Sequence, residues 1–246
     1  MDRLIYTAMS GAKQIMEQQS TTAHNLANVS TSGFRAQLDT FRAIPVVSNG
    51  LPTRTFVVDS TIGTDFRAGP IQQTGRTLDL AVQGSGWLAV ERADGTEGYT
   101  RGGSLKINEN GVLQTEGGLN VLSDGGPITI PPNVKISFAK DGTISSVDGG
   151  NVPGATIEIA RLKLVNPDIA NLERSSDGMF VTKDRLPADA DANVGVTSGA
   201  LEGSNVNVVD AMVNMISLAR QFELNMKMLK DADSNAAKAD QFLALS

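Results

Sequence analysis

Residues 208–243 read VVDAMVNMISLARQFELNMKMLKDADSNAAKADQFL, and within them Val208, Met212, Met215, Ala219, Phe222, Met226, Leu229, Asp233, Ala236, Asp240 and Leu243 recur at a three-four spacing. That is the period of a helix presenting one continuous face, and neither Pro nor Gly interrupts it. Asn207 is placed to cap its start, and Asp210 follows three residues on like the partner in a capping box. A helix of roughly 36 residues reaches about 54 Å. Few globular domains bury such a rod alone, so the stripe requires helical partners along its length.

The opposite end repeats the pattern. Ile5, Ala8, Ala12, Ile15, Gln19, Thr22, Leu26 and Val29 follow the same spacing, which predicts a helix from about Arg3 to Val29, favoured by Asp2 at its positive end and closed by Thr31-Ser32-Gly33. This seam is weak, because Ala8, Ala12, Gln19 and Thr22 fill half of it. Ordering the backbone costs about 1–2 kcal/mol per residue, against about 1.5–3 kcal/mol gained for each large side chain buried. One partner helix does not offset that, so both termini are expected to become ordered when several subunits pack together.

Between the ends the period falls to two. Leu78-Asp79-Leu80-Ala81-Val82, Trp87-Leu88-Ala89-Val90, Ser104-Leu105-Lys106-Ile107, Val134-Lys135-Ile136-Ser137-Phe138 and the run from Thr156 to Val165 alternate or nearly so, as strands do. Asp94-Gly95, Asn110-Gly111, Asp124-Gly125-Gly126, Asp141-Gly142, Asp148-Gly149-Gly150 and Asp177-Gly178 punctuate them with the residues of tight hairpin turns. The fold class is therefore mixed α and β: a discontinuous terminal helical coiled coil, residues 1–33 and 204–246, around a central antiparallel all-β domain of short hairpins, residues 77–203. Residues 34–76 carry Pro45, Pro52 and Pro70 and short extended runs such as Thr53 to Val58, and read as an extended connector.

Composition narrows the function classes. The 246 residues are 40% apolar, enough for a core, but only 4% aromatic, with 25 Gly. A net charge of -6 argues against nucleic acid as a partner, which demands a concentrated basic face. There is no Cys, hence no disulfide or thiolate metal site. Neither a cleavable signal of the secretory type nor an apolar run long enough to insert in a membrane is expected.

The search for chemistry returns little. His24, the single histidine, points away from the stripe and has no second ligand or triad partner. Gly84-Ser85-Gly86 opens like a phosphate loop but runs into a strand, so a tight turn is expected. Asp189-Ala190-Asp191-Ala192-Asn193 starts like a calcium loop, yet Val194 stands where Gly is required and Ala200 where a bidentate Glu belongs. Asp79 and Glu91 are one of many acidic pairs whose separation sequence cannot set. No catalytic, cofactor-binding or metal residue is assigned, and the chain is read as a non-enzyme. The segment from Asn25 to Arg35 is more informative, since its amides and hydroxyls suit dense helix-cap and inter-subunit hydrogen bonding.

Asn25-Leu26-Ala27-Asn28 through Gly33-Phe34, then Gly84-Ser85-Gly86-Trp87-Leu88-Ala89-Val90 with Tyr99-Thr100-Arg101-Gly102-Gly103 and Asn110-Gly111-Val112-Leu113, then Ser198-Gly199-Ala200-Leu201-Glu202-Gly203-Ser204-Asn205-Val206 leading into Met212 to Ile216, resemble in that order the signatures of the axial proteins of the bacterial flagellum, the rod and hook subunits. The resemblance spans essentially the whole chain, with Phe34, Trp87 and Phe222 standing where many members carry other residues. Met1 to Ala12, Phe34-Arg35-Ala36-Gln37 and the modest length are most similar to a proximal-rod subunit, with the distal rod subunit as the nearest alternative. It implies a structural subunit of the basal-body rod crossing the periplasm and transmitting torque. Terminal helices would form the inner layer, the connector a bridge to neighbours, and the β domain the outer layer. The implied partners are copies of the chain, neighbouring rod proteins and the flagellar type III export apparatus. The assembly interface is then expected at Ile5, Ala8, Ala12, Ile15, Asn25, Leu26, Asn28, Gly33, Phe34, Met212, Met215, Ala219, Phe222, Met226 and Leu229. A wall-cleaving hydrolase or a soluble binding module is the rival class. It needs convergent titratable groups that the sequence does not place, and it leaves the terminal stripes without a role.

Overall fold

The structure, a computed structural model, describes residues 2–45, 55–132, 134–147 and 156–244. The Pro52 to Arg54 part of the connector and the turn at Asp148-Gly149-Gly150 lie outside the described residues, as do the side chains of Ala236, Asp240 and Leu243. The chain divides into two compact units. Unit 1 comprises residues 1–29, 36–65 and 206–246, and unit 2 residues 30–35 and 66–205.

Unit 1 contains α1 (Asp2–Ala27), α2 (Val208–Ala244) and a two-stranded antiparallel ribbon of β1 (Gln37–Pro45) and β2 (Thr55–Thr64), with a bulge between Thr40 and Phe41. Helix α1 packs against α2 and against the ribbon. Its end falls at Ala27, two residues before the expected Val29, and Asn28 turns its side chain back to donate from Nδ2 to the His24 carbonyl at 2.9 Å. The same carbonyl accepts from the Asn28 backbone amide at 3.2 Å, and beyond it the Val29 amide takes the tighter-turn bond to the Leu26 carbonyl at 3.2 Å. At the start of α2, Asn207 accepts from the Val209 and Asp210 amides at 3.0 and 3.4 Å, the expected cap. The ribbon is the element that periodicity misses, since extended runs alone do not say which strand pairs with which.

Among the described residues, the strand pairings of unit 2 are antiparallel. Short strands β3 (Ile71–Gln73) and β4 (Leu80–Val82) pair with β18 (Ala200–Glu202) and β17 (Val196–Ser198). The main sheet follows the order β15 (Leu172–Arg174), β16 (Phe180–Thr182), β6 (Glu97–Thr100), β5 (Trp87–Glu91), β9 (Asn120–Ser123), β8 (Leu113–Thr115) and β7 (Leu105–Ile107). It adds β10 (Gly126–Pro127) beside β9 and β14 (Leu164–Val165) beside β5. A further sheet holds β11 (Lys135–Phe138), β12 (Thr143–Val147) and β13 (Thr156–Arg161). The expected hairpin glycines Gly95, Gly111, Gly126, Gly142 and Gly178 all adopt positive φ.

Strand β5 is the spine of the unit, because alternation sends its side chains into two apolar clusters. Leu88 joins Leu80, Val82, Leu105, Leu113, Val121, Ile128 and Ile144 in the larger one. Trp87 and Ala89 join Tyr99, Val165, Leu172 and Phe180 in the smaller, which Phe66 closes edge-on to Trp87 at 6.0 Å. Both faces of β5 are dry, with a core of Leu, Ile and Val on one side and an aromatic knot on the other.

Candidate assembly interface

The two helices of unit 1 cover one apolar stripe and leave other large apolar side chains exposed. On α1, Ala8, Ala12 and Ile15 are buried, and Ile5, Gln19, Thr22 and Leu26 are half-buried, as is Val29 just past its end, so the whole expected stripe is on the covered side. On α2 the covered stripe runs Ala211, Met215, Leu218, Phe222, Asn225, Leu229 and Ala232, with Ala219 half-buried beside it. It shares Met215, Phe222 and Leu229 with the expected seam but takes Ala211, Leu218, Asn225 and Ala232 at the alternate positions. Met212 and Met226 of the expected seam are exposed. Both stripes obey a three-four spacing, and period alone cannot choose between neighbouring faces of one helix.

What α2 leaves open is a second apolar stripe: Val209 at 67%, Met212 at 49%, Val213 at 59% and Ile216 at 56% exposure, at the i, i+3, i+4, i+7 spacing of a helix-docking face. On α1, Tyr6, Met9 and Met16 are likewise exposed on one side, with Lys13 between them.

The signature segment between the helix and the ribbon is satisfied largely within the chain. Asn25 donates from Nδ2 to the Gln37 carbonyl and accepts at Oδ1 from the Gln37 amide, both at 2.9 Å, so its amide acts as an extra peptide group at the start of β1. Thr21 donates to Asp39 at 2.9 Å. Gly33 and Phe34 are buried in unit 2. Gly33 has φ +69°, and a Cβ there would collide with the Arg101 carbonyl carbon, so only glycine fits. The Arg174 guanidinium lies between two rings, 4.6 Å from the centre of Phe34 and 5.5 Å from that of Phe180, while donating to the Arg35 carbonyl at 2.9 Å. Burial pushes the Arg174 pKa below its ordinary value, and the flanking π faces supply part of what water no longer does.

Three charged residues meet beneath this segment, and sequence reasoning assigned them no role. Arg35, Arg101 and Glu202 are 1%, 4% and 2% exposed. Arg35 Nη2 lies 2.7 Å from Glu202 Oε1 and Arg101 Nη1 lies 3.1 Å from Glu202 Oε2. Arg101 also donates to the Val82 and Gly84 carbonyls. Burial lowers its pKa, against the opposing pull of the Glu202 carboxylate. Two cations face one anion, and Arg35 Nε, Arg35 Nη1 and Arg101 Nε find no oxygen among the described residues. Both guanidinium groups instead lie over Trp87, at 6.0 and 5.3 Å from its ring centre. The signal available in sequence was a charge within each glycine-bearing signature: Gly33-Phe34-Arg35, Arg101-Gly102-Gly103 and Leu201-Glu202-Gly203.

The residues weighed for chemistry are dispersed and locally engaged. His24 is exposed. Ser85 donates to Asn166 at 2.9 Å within a turn in which Gly84 has φ +68°. Asp191 accepts from the Asn193 backbone and side chain at 2.9 Å, bonds that hold its pKa below the usual carboxylate range. Asp79 pairs with Arg76, and Glu91 accepts from Asn120.

Three family models match the chain: a flagella basal body rod protein model over residues 5–35, a flagellar hook protein FlgE/F/G D1 domain model over 81–146, and a flagellar basal body rod FlgEFG protein C-terminal model over 197–242. The chain is 46% identical to the flagellar basal-body rod protein FlgF of Escherichia coli and 46% identical to that of Salmonella typhimurium, each over 100% of both chains. It is 31% identical to the flagellar basal-body rod protein FlgG of Bacillus subtilis, over 95% of this chain and 96% of the relative. With three signatures in the same order and full-length identity of this size, the chain belongs to the FlgF family of flagellar basal-body rod proteins.

Proposed function

We propose that this chain polymerises through its terminal helices as a structural subunit of the flagellar basal-body rod, in the proximal part of the shaft, and helps carry torque across the periplasm. The observation that carries the helical part of this reading is the open stripe Val209, Met212, Val213 and Ile216 on a helix whose other face is already covered. An apolar stripe left in water beside a covered one marks a surface for a further partner. The matching three-four burial along α1 and α2 supports a coiled-coil pairing within each subunit.

In this reading Ile5, Ala8, Ala12, Ile15, Leu26, Met215, Ala219, Phe222 and Leu229 hold each subunit's helices together, and Met212 and Met226 face neighbours. Those neighbours are further copies and adjoining rod proteins, and the chain reaches them through the flagellar type III export apparatus. The role is non-enzymatic, as the names of its relatives support. Identity of 46% to FlgF against 31% to FlgG favours the proximal over the distal position.

The test is complementation of a strain lacking its own copy. Met215→Asp and Leu229→Asp are expected to abolish rod assembly and motility while unit 2 keeps its fold. Motile cells carrying either variant would overturn the helical pairing within the subunit, and motile cells carrying Met212→Asp would overturn the interface between subunits. Recovery of rods whose proximal segment lacks the wild-type chain would overturn the position.

A further inference from the structure

Arg35, Arg101 and Glu202 each come from a different one of the three matched signatures, residues 5–35, 81–146 and 197–242. The chain passes between its two units after residues 29, 35, 65 and 205, and the bonds around Glu202 gather the unit 2 side of those passages. The Gly33 amide donates to the Glu202 carbonyl at 2.7 Å, and the Gly69 amide to Glu202 Oε1 at 2.9 Å. Gly203 donates to the Pro70 carbonyl at 2.8 Å. Asn205 donates from its amide to the Phe34 carbonyl at 3.3 Å and from Nδ2 to the Arg67 carbonyl at 3.0 Å.

A buried ion cluster adds little net stability over apolar residues of the same volume, because desolvation cancels most of the attraction. What charges do supply is selectivity: a carboxylate with two fixed arginines accepts one alignment and makes a slipped one leave a bare charge in a dry site. Three segments remote in sequence are brought to a single carboxylate, and two of them leave for unit 1 within four residues of it.

We propose that Arg35, Arg101 and Glu202 are positioning residues whose buried ion cluster sets the register of segments 30–35 and 197–205 against the rest of unit 2, and that Gly33 and Phe34 serve this alignment inside the unit. The consequence for assembly rests on the rod-subunit reading above; the alignment itself does not.

Amide hydrogen exchange on the full-length chain tests it, with Glu202→Gln removing the charge at constant size and Glu202→Ala removing the acceptor as well. In Glu202→Gln the amides of Gly33, Gly203 and Asn205 are expected to exchange about ten-fold faster or more, the size of losing a charge-assisted bond, while β5 and β9 keep their protection. Gly69 retains an acceptor in Glu202→Gln and is expected to accelerate strongly only in Glu202→Ala. Incorporation of both variants into basal bodies should fall together with the local protection. Unchanged exchange at these amides overturns the proposal. So does acceleration spread equally over β5 and β9, or a Glu202→Gln chain that fails to fold, since either makes the cluster an ordinary core element. If the local acceleration is found but the wild-type chain is missing from basal bodies, the rod reading falls and the alignment stands.

Discussion

Among the described residues, unit 2 buries its large apolar side chains around one strand, while the helices of unit 1 leave several of theirs exposed. Around β5 both faces are dry, and the aromatic knot of Phe66, Trp87 and Phe180 has ring centres 4.7 to 6.0 Å apart. Unit 1 covers a stripe rich in alanine and leaves valine, methionine and isoleucine in water. In a self-sufficient fold the larger apolar residues occupy the core. In unit 1, among the described residues, Ile15 and Leu218 are covered but Val209, Met212, Val213 and Ile216 are not, which is the pattern expected if part of its apolar surface serves the assembly proposed above.

The contrast can be broken most forcefully at Gly33. Gly33→Ala is expected to destabilise unit 2 by at least about 3 kcal/mol, because the left-handed conformation costs about 1–2 kcal/mol and the collision with the Arg101 carbonyl adds to it. Calorimetry checks this, and a melt like that of wild type would remove the close approach from the account. On α2 the two faces should separate cleanly. Leu218→Asp, on the covered stripe, is expected to lower helix stability by about 3 kcal/mol in thermal melts followed by circular dichroism. Met212→Asp, on the open stripe, should change the melt by less than about 0.5 kcal/mol while blocking assembly. Equal effects at the two sites would erase the distinction between inner and outer faces.

Alkaline titration probes unit 2 more gently. Burial pushes the Tyr99 hydroxyl up to about 12 from an ordinary 10.0, and its oxygen accepts from the Ala188 amide at 2.7 Å. A group whose folded value is raised contributes stability that is fully present below the unfolded value and is lost as pH rises through the folded one. Denaturant midpoints should therefore fall between pH 10 and 12, and Tyr99→Phe should flatten that limb. The smallest effect is expected at Gly11. A Cβ there meets Asn225 Nδ2 at an ordinary 3.6 Å. Gly11→Ala should accordingly stabilise α1 by about 0.5–1 kcal/mol in the same melts. Exchange rates of α1 in dilute and assembled protein add one more test, since protection equal in both would mean the small-residue seam suffices without neighbours.

The sequence makes the terminal helices legible because three-four spacing persists for many turns and Asn207 carries an unambiguous cap. It makes the hairpins legible because Asp-Gly and Asn-Gly supply backbone conformations few other pairs tolerate. The pairing of β1 with β2 is not legible, since strand partners are chosen by long-range packing rather than by local pattern. Nor is the choice between Met212 and Ala211 for the covered stripe, because α2 is apolar on adjoining faces. The Arg35, Arg101 and Glu202 cluster lies furthest from sequence reasoning. Each charge stands beside glycine in a quoted motif, but only the fold brings residues 35, 101 and 202 to one point.

Trp87 is the single tryptophan of the chain, and both cluster arginines lie over its ring. Its fluorescence therefore originates at one place, where the three signatures meet, with two cations held against the emitting ring. Emission wavelength and quencher access become a direct optical readout of that spot, in solution or in an assembled rod carrying this chain alone as its source of indole, without any label being introduced.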